Sequence, residues 1–224
     1  MFQQVAKSTL SLYKNLFKQT LIYGLATVLP RMFSFILVPL YTDLLPKAEY
    51  GQVTVIFAYM IFFNVILAYG METSFFRFYN KEEEKQKVVE TSMITVFWST
   101  IAFVTLALTF RNYIAHFINI DVQYVTYSIW ILVLDALVII PFSKLRVQQR
   151  PIFYGILKIS NVVVNLSLNI FFLVYLPKLA NNNPHGIWKA MYFDNFQIGY
   201  VFLSNLIASL LTFVLLSKDY FFLK

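Results

Sequence analysis

The amino-acid sequence predicts an all-α integral membrane protein: six spanning helices with both termini in the cytoplasm. Three observations carry that expectation. The chain is 59% apolar and 19% aromatic with only 13% charged residues, and its mean hydropathy of +0.65 lies far above that of soluble globular domains. Six apolar stretches are each long enough to cross ~30 Å of hydrocarbon, which takes about 20 residues of helix. Finally, Lys and Arg are shared unevenly between the segments that join those stretches. Helices are the economical choice, because the backbone must satisfy its own hydrogen bonds in lipid and no alternating pattern of barrel strands is present.

The N-terminal arm, MFQQVAKSTLSLYKNLFKQT, is polar and basic and has no small-residue cleavage site. It reads as retained rather than as a signal peptide. The first span, 18–42, contains Pro30, Arg31 and Pro39; each proline removes a backbone donor, so this helix is expected to bend around the charge. The second, 52–75, holds Asn64 at mid-depth and Glu72 near its cytoplasmic end, beside Thr73, Ser74 and Arg77. The third, 88–110, has a seam of small residues (Ser92, Thr95, Ser99, Ala102) suited to close helix packing. The fourth and fifth, 123–142 and 152–176, form an antiparallel hairpin whose turn centres near residues 146 and 147. The sixth, 197–217, carries a second seam at Ser204, Asn205, Ser209 and Thr212.

Of the eighteen Lys and Arg residues, twelve fall in the N-terminal arm, the second and fourth loops and the C-terminal end. Only Lys47, Arg111, Lys178 and Lys189 lie on the opposite side, and Arg31 and Lys158 lie within spans. The positive-inside rule then puts both termini in the cytoplasm. The run KEEEKQK at 81–87 reads as a solvated loop. Outer loops are short; the longest, 177–196, combines an Asn, Pro and Gly turn cluster with Trp188 and Tyr192, which suit an interface belt. They leave no room for an external catalytic domain. Cys is absent, and His116 and His185 fall in loops far apart in sequence, so neither disulfides, a metal site nor histidine catalysis is expected, and no cofactor or nucleic acid is implied.

The polar residues inside the spans are the functional candidates. A guanidinium at the centre of a spanning helix costs about 2.5–3.5 kcal/mol on insertion scales, and Arg31 lies roughly 20 Å along the first span, near the midplane. Asn64 reaches a similar depth. Arg31 either lines a cavity or is a structural cation tied to carbonyls or to a carboxylate elsewhere. Reflecting Asp135 through the hairpin turn lands on Lys158, so the two are expected at equal depth as an ion pair that locks the hairpin or titrates during a transport cycle. Glu72 is interfacial and therefore cheap. Lys158, Asn161, Asn165 and Asn169 share one helical face, which either bonds neighbouring helices or lines a hydrated path.

Three stretches, TLIYGLATVLPRMFSFILVPLYTDLLPKAEYGQ at 20–52, GMETSFFRFYNKEEEKQ at 70–86 and LRVQQRPIFYGILKISNVVVNLSLNIFFLVYL at 145–176, together resemble the polysaccharide biosynthesis family of the multidrug/oligosaccharidyl-lipid/polysaccharide (MOP) exporter superfamily, the Wzx-type flippases. The resemblance extends through the sixth span's NLIASLLTFVLL. It implies a transporter rather than an enzyme, resident in the bacterial inner membrane, that moves an undecaprenyl-pyrophosphate-linked oligosaccharide from the cytoplasmic to the periplasmic leaflet for polysaccharide or O-antigen biosynthesis. Arg31 then gains a role as a fixed donor fork for pyrophosphate, with Asn64, Asn161, Asn165 and Asn169 lining the cavity. Asp135, Lys158 and Glu72 become candidates for coupling or gating. The implied partners are the lipid-linked oligosaccharide and membrane lipids. Family members have about twelve to fourteen spans in two six-helix lobes. The chain corresponds to one lobe, so the second is expected either in the same polypeptide, of which this sequence would be a part, or in another subunit.

Other readings compete. A cation-coupled small-molecule exporter of the same superfamily would want membrane carboxylates, of which only Asp135 is deep. A membrane glycan polymerase or ligase would want acid, base or cationic groups gathered on the outer side. A structural assembly subunit would tolerate Arg31→Leu.

Overall fold

A computed structural model of the chain describes residues 35–182 and 186–221, together with residues 17, 20–25, 28, 29 and 32. No strand forms among the described residues, and the chain is an all-α membrane protein. A short apolar helix, α1 (Phe35–Leu44), is followed by α2 (Lys47–Ala68), α3 (Met71–Lys81), α4 (Lys85–Thr109), α5 (Arg111–Ile118), α6 (Val122–Leu137), α7 (Ile139–Val147) and α8 (Pro151–Ile170). A wider π-helical turn, Phe171–Tyr175, carries α8 into α9 (Leu176–Asn182); then come α10 (Ile187–Met191), α11 (Gln197–Leu216) and α12 (Lys218–Phe221). Among the described residues five stretches are long and apolar enough to cross a membrane: Lys47–Lys81, Lys85–Thr109, Val122–Val147, Pro151–Asn182 and Gln197–Leu216. Pro30 and Arg31 lie outside the described residues.

Local chemistry explains the ends of these helices. Asp121 caps α6 by accepting from the Gln123 amide at 2.9 Å. Helix α5 closes on Asn119, left-handed at φ 55°, with Ile120 N donating to Ala115 O. The hairpin between α7 and α8 turns the same way: Gln149 is left-handed (φ 54°), Arg150 N donates to Leu145 O, and Pro151 opens α8. His116, expected in a loop, is therefore helical, because the turn at Asn119 lets a full turn of α5 form before α6. His185 lies outside the described residues. The region 177–196, expected as the longest loop, contains the end of α9 and all of α10.

Two spans are broken at comparable places. Between α2 and α3, Tyr69 (φ 27°) and Gly70 (φ 73°) leave the right-handed helical region, a conformation that glycine adopts without strain. Between α6 and α7 the interruption is Val138, and Pro141 has no N–H to give to the Leu137 carbonyl.

Helices α6 and α11 form the middle of the bundle. In the span Val122–Val147, 72% of the most apolar stretch is buried, against 22% in Lys47–Lys81, so α2 turns most of its apolar surface outward, as a lipid-facing helix does. Ser204, Ala208, Ser209 and Thr212 are buried on α11, where small side chains admit close packing against α6 and α8. The main core joins residues of α1, α2, α6, the π turn and α11. A smaller core, Phe75, Val89, Met93, Val96 and Ile140, gathers α3, α4 and α7 beyond the two helix breaks.

Candidate functional site

Four spanning segments each contribute a stripe of residues, three or four apart, to one cavity of about 400 Å³. From α2 and α3 come Asn64, Ala68 and Glu72, a face that continues across the break at Gly70. The segments α6 and α7 supply Asp135, Val138, Ile139, Phe142, Ser143 and Arg146, again across a break. Helix α8 adds Tyr154, Lys158 and Asn161, and α11 adds Asn205, Ser209 and Thr212. The cavity thus sits where both broken spans change direction, as binding sites built on interrupted helices do.

Its polar groups are largely satisfied from within. Ser209 Oγ donates to Asp135 Oδ1 at 2.9 Å, and Asn64 lines the same cavity. Asn161 Nδ2 donates to Thr212 Oγ1 at 3.0 Å. The Lys158 ammonium lies 4.2 Å from the centre of the Phe142 ring, a cation–π contact in a shielded setting. Among the described residues no ion pair within 4 Å joins Asp135 and Lys158. The two attract one another across the cavity instead, because Ser209 and Phe142 occupy the positions that direct partners would take.

At the basic end of the bundle Arg146 forms an ion pair with Glu72. Its guanidinium also lies over the Phe76 ring, 5.2 Å from the centroid. The Arg146 carbonyl accepts from the Tyr23 hydroxyl at 3.5 Å. The Tyr23 ring meets Tyr154 edge-on at 5.5 Å, and Tyr154 meets Phe142 in the same way at 5.4 Å. Aromatic rings therefore surround Arg146.

The site residues expected from sequence divide into three groups. Asn64, Glu72, Asp135, Lys158 and Asn161 all line the cavity. Asn165 and Asn169 lie further along α8, outside the lining. There Asn169 is wholly buried, accepting from the Tyr41 hydroxyl at 2.9 Å and donating to Asn165 Oδ1 at 2.7 Å, so the pair ties α1 to α8. Arg31 lies outside the described residues. Sequence reasoning passed over Arg146, Ser209 and Tyr154. Arg146 continues the stripe Asp135, Ile139, Phe142 by one further helical step, a signal hidden by ending the fourth span at residue 142.

The cavity can therefore hold a ligand rich in hydrogen-bonding groups. It offers two basic side chains, two acidic ones, and amides and hydroxyls between them. Among the described residues no three His, Cys, Asp or Glu side chains come together as a metal site. Elsewhere in the bundle, a second recess of about 440 Å³ between α2, α4, α5 and α6 is lined almost entirely by hydrocarbon, including Met60, Phe63, Phe103 and Leu132.

A family model described as polysaccharide biosynthesis protein matches residues 16–222. No curated protein and no solved structure matches the chain.

Proposed function

The chain belongs to the polysaccharide biosynthesis protein family, and from that premise we propose that this multi-pass membrane protein moves an undecaprenyl-pyrophosphate-linked oligosaccharide from the cytoplasmic to the periplasmic leaflet. The proposal is a transporter of the bacterial inner membrane, with both termini cytoplasmic, a placement that the distribution of Lys and Arg supports. The observation that carries it is the polar cavity between two broken spans, lined by the half-exposed Arg146 and Glu72 as well as by buried polar groups. A lipid headgroup crossing a bilayer must exchange water for protein hydrogen bonds, and a cavity of amides, hydroxyls and paired charges supplies them. Arg31, permanently protonated, is assigned to the pyrophosphate, Asn64 and Asn161 to the glycan, and Asp135 with Lys158 to coupling or gating. A second six-helix lobe, in the same polypeptide or another subunit, would close the cavity from its open side.

One observation favours a second reading. Asp135 is a cavity-facing carboxylate within a span, as a cation-coupled exporter of small molecules would require. Reconstituting the full-length protein in liposomes with fluorescent lipid-linked oligosaccharide separates the two. Loss of label accessibility from one leaflet at a protein-dependent rate supports flipping. Label that stays in place while a small amphiphilic cation is expelled supports the exporter.

A further inference from the structure

The second recess, of about 440 Å³, shares α2 and α6 with the polar cavity but faces α4 and α5 instead of α8 and α11. It occupies one half of the spans. Along α6 its lining runs from Val125 to Leu132, and Leu132 lies ten residues in from the start of the helix at Val122, about 15 Å along the axis. That is half of a ~30 Å hydrocarbon layer, the depth that the acyl chains of a single leaflet fill. The half concerned is the one where α4 ends and α6 begins, the outer half in the orientation proposed above. The lining offers a ligand little to hydrogen-bond. Ser128 gives its hydroxyl to the Tyr124 carbonyl of its own helix at 2.9 Å, and the other lining residues are apolar or aromatic. A ligand carrying amides or many hydroxyls would give up its bonds to water there without replacement, whereas a hydrocarbon chain gives up none.

The end of the recess at α5 has a different character. Tyr113 and Phe117 of this helix line the recess and are each 74% exposed, aromatic side chains at the depth where the neighbouring spans end. Arg111 opens α5 and is flanked in the chain by the lining residues Phe110 and Tyr113. It is exposed, and among the described residues no ion pair within 4 Å neutralises it. A permanent cation beside an apolar slot half a bilayer deep complements a molecule with an anionic head and a hydrocarbon chain. We propose that this recess is a binding site for one anionic glycerophospholipid, of the phosphatidylglycerol type, with an acyl chain between α2, α4 and α6 and its headgroup phosphate against Arg111. The site is separate from the polar cavity and does not depend on the protein moving lipid. The bound chain fills a gap that the side chains leave and adds packing contacts that hold α4 and α5 against α2 and α6.

Purified full-length protein in mixed micelles is irradiated with phosphatidylglycerol or phosphatidylcholine, each carrying a diazirine in an acyl chain, and the adducts are located by peptide mass spectrometry. Elution profile and helical circular dichroism serve as folding controls. With phosphatidylglycerol, adducts are expected to concentrate on Met60, Phe103, Leu106 and Phe117 rather than on the other apolar faces of the bundle. At those residues phosphatidylglycerol is expected to label about fivefold more than phosphatidylcholine, the contribution of one basic residue at a lipid surface. Arg111→Gln is expected to bring the two lipids level. Ala107→Phe, which fills the recess from α4, is expected to remove labelling there while leaving it elsewhere. Should Ala107→Phe fail to fold, the exposed replacement Arg111→Gln carries the test. Adducts spread evenly over the lipid-facing helices overturn the inference, as does equal labelling by the two lipids in the unaltered protein. An excess that persists in Arg111→Gln, or recess labelling that persists in folded Ala107→Phe, overturns it as well. A recess that takes no label overturns it and points to a protein segment as the cover. Flipping is judged separately by leaflet assays and stands or falls without this site.

Discussion

The Tyr220 hydroxyl donates to the Leu137 carbonyl at 2.5 Å, the carbonyl that Pro141 leaves without its helical partner. A proline inside a spanning segment frees one acceptor, and in lipid that acceptor must be met by another protein group. The C-terminal helix α12 meets it and pins the break beside the cavity. Tyr220→Phe is therefore expected to destabilise the protein by about 1–3 kcal/mol, the cost of a buried acceptor left unpaired. Thermal unfolding in detergent checks this, and an unchanged midpoint would show that water or another donor serves Leu137 equally well.

Asn161 and Asn169 share a face of α8 but differ in surroundings, so their replacements should separate. Asn169→Ala strips the partner from Tyr41 and Asn165, and is expected to lower stability by about 1–3 kcal/mol without altering ligand affinity in the protein that folds. Asn161→Ala changes a cavity group bonded to Thr212 and is expected to reduce transport with little change in stability. Parallel unfolding and transport measurements on the two variants decide; matching effects would contradict the division.

Asp135 and Lys158 face one another across the cavity without direct contact, so each charge stabilises the other at a distance. Removing either alone leaves a charge in a poorly solvated space. Asp135→Asn with Lys158→Gln should therefore cost less stability than the two single replacements added together, by about 1 kcal/mol. A double-variant cycle of unfolding free energies reads this coupling, and strict additivity would dissociate the pair.

Arg31 is assigned to pyrophosphate on charge and depth. Arg31→Gln is expected to abolish transport at normal expression. Arg31→Lys is expected to retain part of it if charge is what matters, and to lose as much as Gln if the planar fork is needed. Transport assays in cells matched for protein level give the answer; full activity of Arg31→Gln would remove pyrophosphate contact from its role.

Much of the architecture is legible in the sequence because lipid imposes strict demands: spans must be long, apolar and helical, and exposed charge is expensive. Residue counting also pointed to Asp135 and Lys158 as neighbours, and both line the cavity, although the turn it was counted from is displaced. Counting alone does not show how closely two side chains approach. The hairpin turns at Gln149 and Arg150, a few residues beyond the expected centre; Ser209 of α11 bonds Asp135, and Lys158 lies against Phe142 of the hairpin itself. Helical spacing identified the Asn face of α8, but whether a face meets a cavity or a neighbour depends on where other helices stand away from it. At Asn161 they leave room, and at Asn169 Tyr41 fills it. Arg146 was hidden because the fourth span was ended at residue 142 and Arg146 counted with the loop, whereas α7 runs on to Val147 and carries the cavity stripe one step further.

The most direct test of the central claim is the leaflet distribution of undecaprenyl-linked oligosaccharide in cells depleted of the full-length protein while the glycan is made at its normal rate. Flipping predicts accumulation on the cytoplasmic face, reversed by restoring the wild-type gene. An unchanged distribution, or accumulation on the periplasmic face, would contradict it, the first pointing to small-molecule export and the second to a polymerase or ligase.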